Sequence, residues 1–277
     1  MDPSPLIRHV LESNLQAREA RDRWAPHRAR VMDVVRGVPV AGARLALLGA
    51  GHLHDVELDE LAQRYERIAL VDLDADTVSA AVRRHPGASA RCTVHAPVDL
   101  TGGLDVLWKT SRNSDGANRV IAWIAGHRCA VEGEPFDLTL SLGVLTQLMQ
   151  AVTDASVDPQ DVPRVSLAVR DKHLRDLVHL TRPGGTFVVV TDFVSTSSAP
   201  ELVHLPPEEL EPHLARLVDA GNFFTGTNPY RITAILEETE PFRAHVARAR
   251  FVGPWLWPIT PDRQHLAGAI VADRRLR

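Results

Sequence analysis

The sequence predicts an α/β protein with a mostly parallel sheet of seven strands and helices on both faces. Two observations predict this class. Short apolar runs alternate with amphipathic segments from Ala43 onward, which is typical of repeated βα units around a parallel sheet. The chain has 277 residues, enough to bury a large core without a framework of disulfide bonds.

The part of the chain before the first strand predicts a helical extension. Apolar residues recur at helical spacing in residues 6–11 and again in residues 20–35. Residues 37–42 contain glycines and a proline, and we interpret them as a turn. We therefore expect a helical cap over residues 1–42 and a larger domain over residues 43–277.

Seven apolar runs have the length and composition of strands: residues 45–48, 68–71, 92–95, 138–142, 186–191, 246–252 and 266–272. The helix predicted after the first run places Leu58 and Leu61 on one face. The helix predicted before the fifth run buries Leu167 and Leu174. It ends at a turn, Arg182-Pro183-Gly184-Gly185, because proline cannot continue a helix and glycine accepts a left-handed conformation. Prolines interrupt the stretch between the last two runs, so the pattern does not fix their bounds.

Two connections are longer than simple βα loops require, at residues 101–135 and 195–230. In an open α/β sheet the ligand binds at the carboxyl ends of the strands, where such loops gather. We expect these two segments to cover the acceptor substrate as a lid. The alternative is that they only cover the edges of the sheet.

The composition is that of an ordinary globular protein, with 44% hydrophobic and 24% charged residues. A net charge of −4 provides no basic field for phosphates, so we expect no nucleic-acid partner. The sequence has no run of about 18 apolar residues and no signal peptide, which disfavours membrane insertion and secretion. We expect Cys92 and Cys129 to be reduced thiols of a cytoplasmic protein, and we expect no metal site, because no cluster has metal-ligand spacing.

A glycine turn follows the first predicted strand. Gly49 and Gly51 let the backbone bend tightly and let a ligand approach the peptide groups. Asp72 ends the second predicted strand about 20 residues later, which is the spacing of a carboxylate that accepts both hydroxyls of a ribose. The alternative role for this carboxylate, a helix cap, suits Asp74 better. The two features together predict a nucleoside-binding site.

The residues after the glycine turn argue against a dinucleotide. In the dinucleotide fingerprint a third small residue follows the second glycine, so that helix and strand pack closely beside a pyrophosphate. This chain has His54 at that position. A bulky imidazole fits poorly there, which disfavours nicotinamide and flavin dinucleotides.

From Ala43 to Asp192 the chain resembles the class I S-adenosylmethionine-dependent methyltransferases, whose fold is Rossmann-like and doubly wound. Five segments in the right order carry the resemblance: Leu47-Leu-Gly-Ala-Gly51, Val71-Asp-Leu-Asp74, Val98-Asp-Leu100, Phe136-Asp-Leu-Thr-Leu-Ser141 and Thr181-Arg-Pro-Gly-Gly-Thr186. The resemblance implies that S-adenosylmethionine is the cofactor and that S-adenosylhomocysteine is the product.

The resemblance also implies which residues contact the cofactor. They are Gly49, Ala50 and Gly51 at the methionine part, Asp72 with Leu73 at the ribose, Asp99 with Leu100 at the adenine, and Ser141 with Leu142 beside the sulfonium. His52, on the glycine loop, is a further expected contact. For Asp99 a turn role stays open, since Thr101 and two glycines follow it.

Two positions depart from the pattern of this family. Leu47 stands where an acidic residue usually helps to anchor the ammonium group of the cofactor, and Leu53 stands where a third glycine is usual. Another residue must replace the lost anchor. The candidates are Asp55, or a residue from the helical cap such as His27 or Arg28.

Residues at the strand ends are the candidates for work on the acceptor. Asp192 follows the fifth predicted strand and could accept a proton, and Gln147 follows the fourth. Tyr230 is a candidate lid residue. The segment that contains it, Asn228-Pro-Tyr230, resembles the Asn-Pro-Pro-Tyr box of amino-group methyltransferases, but it has one proline and follows the wrong strand. We expect the aromatic cluster Trp255-Leu-Trp257 to pack in the core or on an oligomer surface, or to stack on a flat or cationic acceptor.

The sequence thus predicts a methyltransferase that acts on an oxygen or nitrogen atom of a small molecule or short peptide. Two alternatives stay open. The first is a protein that binds S-adenosylmethionine as a scaffold without catalysis, which the departures at Leu47 and Leu53 suggest. The second is a dinucleotide-dependent oxidoreductase, which His54 disfavours. The sequence does not indicate the oligomeric state.

Overall fold

The computed structural model describes residues 5–39, 43–110, 114–155 and 157–276. Within these ranges the strands are β1 Arg44–Leu48, β2 Arg67–Val71, β3 Cys92–His95, β4 Phe136–Leu142, β5 Thr181–Ser195, β6 Val246–Thr260 and β7 Arg263–Arg274. The α-helices are α1 Pro5–Ala17, α2 Ala25–Arg36, α3 Leu58–Arg64, α4 Ala75–Arg83, α5 Pro86–Ser89, α6 Leu104–Lys109, α7 Ser114–Gly126, α8 Val144–Asp154, α9 Val162–Leu180, α10 Leu210–Asp219, α11 Pro229–Glu238 and α12 Phe242–His245. The predicted turn at residues 37–42 extends beyond the described residues at positions 40–42.

The seven strands form one sheet in the order β3-β2-β1-β4-β5-β7-β6. The first five strands pair in parallel, and β7 runs antiparallel to both of its neighbours. The predicted α/β class, with a mostly parallel seven-stranded sheet, is therefore confirmed. The order of the strands reverses between β1 and β4, and in open α/β sheets ligands bind in the crevice at such a switch point.

Alternate residues of the central strands face two separate apolar cores, so the sheet is covered on both sides. Leu45 and Leu47 belong to a core with residues of α2, α3 and α4. Ala46 and Leu48 belong to another core with residues of α8 and α9. All four side chains are fully buried. Burial on both faces explains why these strands are continuous apolar runs rather than alternating ones.

The fifth strand is longer than its apolar run predicts. Residues 182–185, predicted as a turn, form a bulge inside β5, because Thr181 pairs with Phe136 and Thr186 already pairs with Leu138. The preceding helix α9 ends at Leu180, two residues before the predicted turn, and passes directly into β5. At the other end β5 runs on to Ser195, because β7 still pairs with it after β4 has ended.

The prolines near the end of the chain lie within or beside β6, which continues to Thr260. This strand is at the edge of the sheet, where a missing N–H costs no ladder bond, and its register shifts three times along β7. One core prediction was wrong: Leu167 on α9 is 38% exposed. Val165 and Val169 supply the buried face of that part of the helix. None of the helices in the described ranges is long and apolar enough to cross a membrane.

Candidate active site

A cavity of about 550 Å³ opens at the carboxyl ends of β1, β4 and β5, at the switch point of the sheet. The cofactor candidates that line it are Gly49, Ala50, Gly51, His52, Asp55, Asp72 and Leu142, and the acceptor candidates that line it are Gln147 and Asp192. Trp24 of the helical cap and Trp257 and His265 of the β6–β7 hairpin also line it. A volume of this size is typical of sites for small molecules and cofactors.

The glycine loop has little freedom for larger residues. Gly49 has a φ of +74°, and a Cβ atom there would lie 2.3 Å from Val144 Cγ2 and 2.9 Å from the carbonyl oxygen of Leu142. Gly51 has a φ of +44°, and a Cβ atom there would meet protein atoms only at 4.0 Å. Steric contacts therefore require glycine at position 49, and the positive φ favours glycine at position 51. The absence of a side chain at Gly51 leaves open space beside the cavity.

Leu53, the departure from the third glycine, keeps the glycine-like backbone. Its φ is +59°, in the left-handed region, where a leucine side chain is strained. The side chain is 1% exposed and packs in the core shared with α2 and α3. The loop thus has the backbone conformation of a glycine at this position, and the burial of the leucine side chain offsets the strain.

Asp72 lies at the end of β2 with its carboxylate at the cavity wall. One carboxylate oxygen accepts the N–H of Gly51 at 2.8 Å, and the other accepts the N–H of Asp74 at 2.9 Å. Burial raises the pKa of this carboxyl, and the backbone N–H donors oppose that effect. Each oxygen keeps further lone-pair capacity, so two hydroxyl donors can still bind. Asp74 caps α4 by accepting from Thr77, which supports the assignment of the helix cap to Asp74.

Arg28 of the helical cap holds the backbone of the glycine loop. Arg28 donates to the carbonyl oxygen of His54 at 3.0 Å and to Glu57 Oε1 at 2.5 Å. His54 is 3% exposed and its ring stacks on that of His52, with 5.1 Å between the ring centroids. Burial, with a smaller contribution from His52, lowers the pKa of His54 to about 4, so this imidazole is neutral near pH 7. Arg28 acts on the backbone of the loop and does not line the cavity.

Asp192 and His265 form a hydrogen-bonded pair that lines the cavity near the end of β5. Asp192 Oδ2 lies 2.6 Å from His265 Nδ1, and Thr146 donates to Asp192 Oδ1 at 2.5 Å. The side chain of Asp192 is 6% exposed. With the Nδ1 proton held by a carboxylate, Nε2 of the imidazole is free to accept a proton. Such a pair has the composition of a general base with its orienting acid.

The predicted adenine contacts lie outside the cavity lining. Asp99 accepts from the N–H groups of Thr101 and Leu104, and so holds the turn into α6, which was the alternative role. Leu100 is buried and its carbonyl oxygen accepts from Lys172 Nζ at 3.0 Å. Leu73 packs against the core and does not line the cavity.

Two further predicted site residues also point elsewhere. Ser141 is fully buried and its hydroxyl lies 2.8 Å from His173 Nε2, so its side chain faces α9 rather than a ligand. Tyr230 is 38% exposed, packs edge-on against Phe251 and does not line the cavity. Asn228 caps α11 by accepting from the N–H of Arg231, so the Asn-Pro-Tyr segment is the start of a helix.

His265 is the principal site residue that the sequence did not reveal. It lies on β7, and only the antiparallel register with β5 brings it beside Asp192. A polar residue at the start of an apolar run is the one available signal, and it does not identify the partner strand. Trp24 was likewise assigned only to the helical pattern of the cap, although it lines the cavity and packs edge-on against Trp257.

The two long connections have different positions. Phe224 and Thr225, in the segment 195–230, line the cavity, whereas none of the described residues in the segment 101–135 does. Burial raises the pKa of Cys92 and of Cys129 to about 11, so neither thiol has nucleophilic character near pH 7. Among the described residues no group of three or more His, Cys, Asp and Glu could hold a metal ion.

No family model and no curated protein matches the chain, but solved structures do. The YcgJ protein of Bacillus subtilis has a TM-score of 0.49 and 11% identity, with 91% of this chain and 100% of that chain covered. An O-methyltransferase family protein of Burkholderia thailandensis has a TM-score of 0.40 and 14% identity, with 97% and 70% covered. The O-methyltransferase TomG of Streptomyces achromogenes, solved in complex with SAM, has a TM-score of 0.43 and 14% identity, with 95% and 90% covered. At these identities the likeness concerns the fold alone.

Proposed function

We propose that this chain is an S-adenosylmethionine-dependent methyltransferase that acts on an oxygen or nitrogen atom of a small molecule. One observation carries the proposal. Asp72, a carboxylate at the position that binds a ribose, and the hydrogen-bonded pair of Asp192 and His265 line one cavity at the switch point of the sheet. The fold that the sequence resemblance implied agrees with this function. A net charge of −4 favours a small acceptor over a nucleic acid.

The cofactor-binding half of the cavity fits a nucleoside joined to an amino acid. Asp72 would accept the two ribose hydroxyls, and the peptide groups of Gly49 to Gly51 would contact the methionine part, where glycine leaves open space. When bound, the cofactor supplies an electrophilic methyl group on a positively charged sulfur. The protein contributes binding, orientation and the exclusion of water.

The acceptor half of the cavity supplies a base and two aromatic side chains. His265 Nε2 would take the proton of a hydroxyl or an ammonium group, and Asp192 would stabilise the imidazolium that results. Trp24 and Trp257 pack edge-on with ring centroids 5.0 Å apart, and both line the cavity. Aromatic side chains in the lining favour an acceptor with a planar ring.

The alternatives explain fewer of these features. Leu47 and Leu53 suggested a scaffold without catalysis. However, Leu53 keeps the left-handed backbone conformation of the glycine that it replaces, and His265 is hydrogen-bonded to Asp192 as a general base would be. A dinucleotide enzyme needs a small residue where His54 is buried at 3% exposure. We therefore favour the methyltransferase over both.

A calorimetric titration with S-adenosylhomocysteine tests cofactor binding. We expect Asp72→Asn to weaken the binding by about 1 to 3 kcal/mol, because a charge-assisted pair of hydrogen bonds to the ribose is lost. Asp76→Asn, on the exposed side of α4, is the matched control and should bind as the wild type does. Tight binding of a nicotinamide dinucleotide without any response to S-adenosylhomocysteine would overturn the proposal.

A methyl-release assay on a panel of phenols, carboxylic acids and amines tests catalysis. For an accepted substrate we expect His265→Asn to lower kcat by about 10² to 10⁴, because the general base is removed. The affinity for S-adenosylhomocysteine should stay unchanged, since His265 lies on the acceptor side. An unchanged kcat in this variant would exclude His265 as the base.

A further inference from the structure

His27 is a fully buried histidine of α2, and it reaches the cavity wall through Asp55. Its Nδ1 accepts the indole N–H of Trp255 at 3.0 Å. Indole is only a donor, so Nδ1 carries no proton and the ring proton lies on Nε2. That Nε2 is 3.1 Å from Asp55 Oδ1, although the two atoms are not aligned as in an ideal hydrogen bond. The tautomer of His27 is thus fixed by Trp255.

The ring of His27 is also fixed in orientation. It stacks on the indole of Trp257 with centroids 4.1 Å apart and an angle of 11° between the planes. Trp255 is 5% exposed and Trp257 is 6% exposed, so the contact is closed to solvent. Chain elements far apart in the sequence therefore present one N–H group to the carboxylate of Asp55.

The carboxylate of Asp55 has an uncompensated negative charge. Its side chain is 13% exposed. Among the described residues no Lys or Arg forms an ion pair with it, and a His27 whose proton lies on Nε2 is neutral. A carboxylate that is largely removed from water needs a cation or further donors. The cavity that Asp55 lines is where that cation can bind.

We propose that Asp55 binds the ammonium group of the amino-acid part of the cofactor, and that His27 and Trp255 are positioning residues that hold its carboxylate toward the cavity. The proposal rests on the proposed function. It explains how the chain tolerates Leu47, which is fully buried in the apolar core and offers no charge. Asp55 lies four positions beyond Gly51, on the same loop as the methionine contacts.

Two probes separate the ammonium contact from the rest of the site. S-adenosylhomocysteine carries the ammonium group, and 5′-methylthioadenosine has the nucleoside and the sulfur without it. We expect the wild type to bind S-adenosylhomocysteine more tightly than methylthioadenosine. We expect Asp55→Asn to weaken S-adenosylhomocysteine binding about 10- to 100-fold, as for a lost ion pair, with methylthioadenosine binding unchanged.

The positioning residues are tested by the ratio of the affinity for S-adenosylhomocysteine to that for methylthioadenosine. Trp255→Phe removes the N–H and keeps an aromatic side chain, so we expect a smaller loss of S-adenosylhomocysteine affinity than for Asp55→Asn, with no loss for methylthioadenosine. His27→Leu should lower the ratio further, and His27→Gln should recover part of it, because the amide can place an N–H group where Nε2–H lies. Asp33→Asn, on the exposed face of α2, removes a carboxylate without touching the cavity and should leave both affinities unchanged.

The outcomes distinguish this proposal from the proposed function. If the wild type binds both probes with equal affinity, or if Asp55→Asn weakens both by the same factor, the ammonium assignment is overturned and nucleoside binding still stands. If the wild type binds neither probe, the proposed function itself is wrong. Thermal denaturation of each variant identifies a loss of binding that comes from unfolding, and Trp255→Phe, which keeps an aromatic ring, then supplies the decisive comparison.

Discussion

At Leu53 the chain holds a branched side chain in a backbone conformation that glycine adopts most easily. The left-handed conformation costs roughly 1 to 2 kcal/mol for a residue with a Cβ atom. The leucine side chain is 1% exposed, and its burial recovers more than that amount. Conformational strain and core packing therefore act in opposite directions at one residue of the site.

This opposition predicts an unusual order of stabilities. We expect Leu53→Ala to destabilise the protein by about 2 to 5 kcal/mol, because the buried side chain is lost and the strain is kept. Leu53→Gly should be less destabilising than Leu53→Ala by about 1 kcal/mol, since glycine relieves the strain. Urea denaturation of the three proteins measures the difference. A glycine variant less stable than the alanine variant would contradict the strain.

How far single residues could be predicted depended on whether their partners were local in sequence. Gly49, Gly51 and Asp72 belong to one strand-turn-helix-strand segment, and the structure brings them together as predicted. Ser141 was expected beside the sulfonium only because the family resemblance implied it, and in the structure its hydroxyl lies against His173 of α9. His265 was missed because its function depends on a pairing that only the folded sheet defines.

At the scale of elements, a buried ion pair joins α9 to the segment 101–135. Lys172 Nζ lies 2.8 Å from Asp176 Oδ2, and their side chains are 1% and 3% exposed. Lys172 also donates to the carbonyl oxygen of Leu100, and Asp176 Oδ1 accepts the N–H of Cys129. The pair thus holds both ends of this long connection against one helix, in a place where the sequence predicted a lid.

Breaking this pair should be costly. We expect Lys172→Met to lower the free energy of unfolding by about 3 to 5 kcal/mol, because it leaves a buried carboxylate without a counter-charge. Adding Asp176→Asn removes that charge and keeps an acceptor for Cys129, so the double variant should recover at least about 1 kcal/mol. Denaturant titrations measure both variants.

An exposed pair provides the control for this experiment. Arg243 and Glu240 lie 2.9 Å apart with side chains 61% and 57% exposed. Arg243→Met should change the stability by less than about 1 kcal/mol. A loss of similar size at both pairs would show that burial does not govern the effect.

The existence of the elements was predictable and their extent was not. Apolar runs located all seven strands of the described sheet. The bounds of β5 and β6 depended on neighbours that the local sequence does not contain, because a strand continues for as long as another strand pairs with it. Leu167 was placed on the wrong face for a similar reason, since neighbouring valines satisfied the packing of that part of α9.

At the scale of the whole molecule, two buried imidazoles make stability depend on pH. Burial lowers the pKa of His54 to about 4 and that of His173 to about 3, both below the ordinary value of 6.5. The unfolded chain therefore binds more protons than the folded protein between these values, and acid favours unfolding. The stability that these groups provide is present above pH 6.5 and is lost as the pH falls below it.

We expect the free energy of unfolding to fall by about 2 kcal/mol for each of these imidazoles between pH 7 and pH 5. His173→Gln should remove about half of this dependence, whatever its effect at pH 7. Urea denaturation of the wild type and the variant at the two pH values provides the test. If the free energy of unfolding falls by the same amount between pH 7 and pH 5 in the wild type and in His173→Gln, His173 is not neutral in the folded state.

The hydrogen bond between Trp255 and His27 joins residues 228 positions apart. Contacts of such separation close large loops and form after local structure in folding, so the wall of the cavity is completed late. The recovery of ligand binding during refolding should therefore lag behind the recovery of helical circular dichroism.

A ligand held by the finished cavity also binds only the native state, and at a concentration of 100 times its Kd it adds about 2.7 kcal/mol of stability by mass action. The cofactor would then hold the two ends of the chain together as a reversible cross-link, and protection from proteolysis would report its occupancy in the cell.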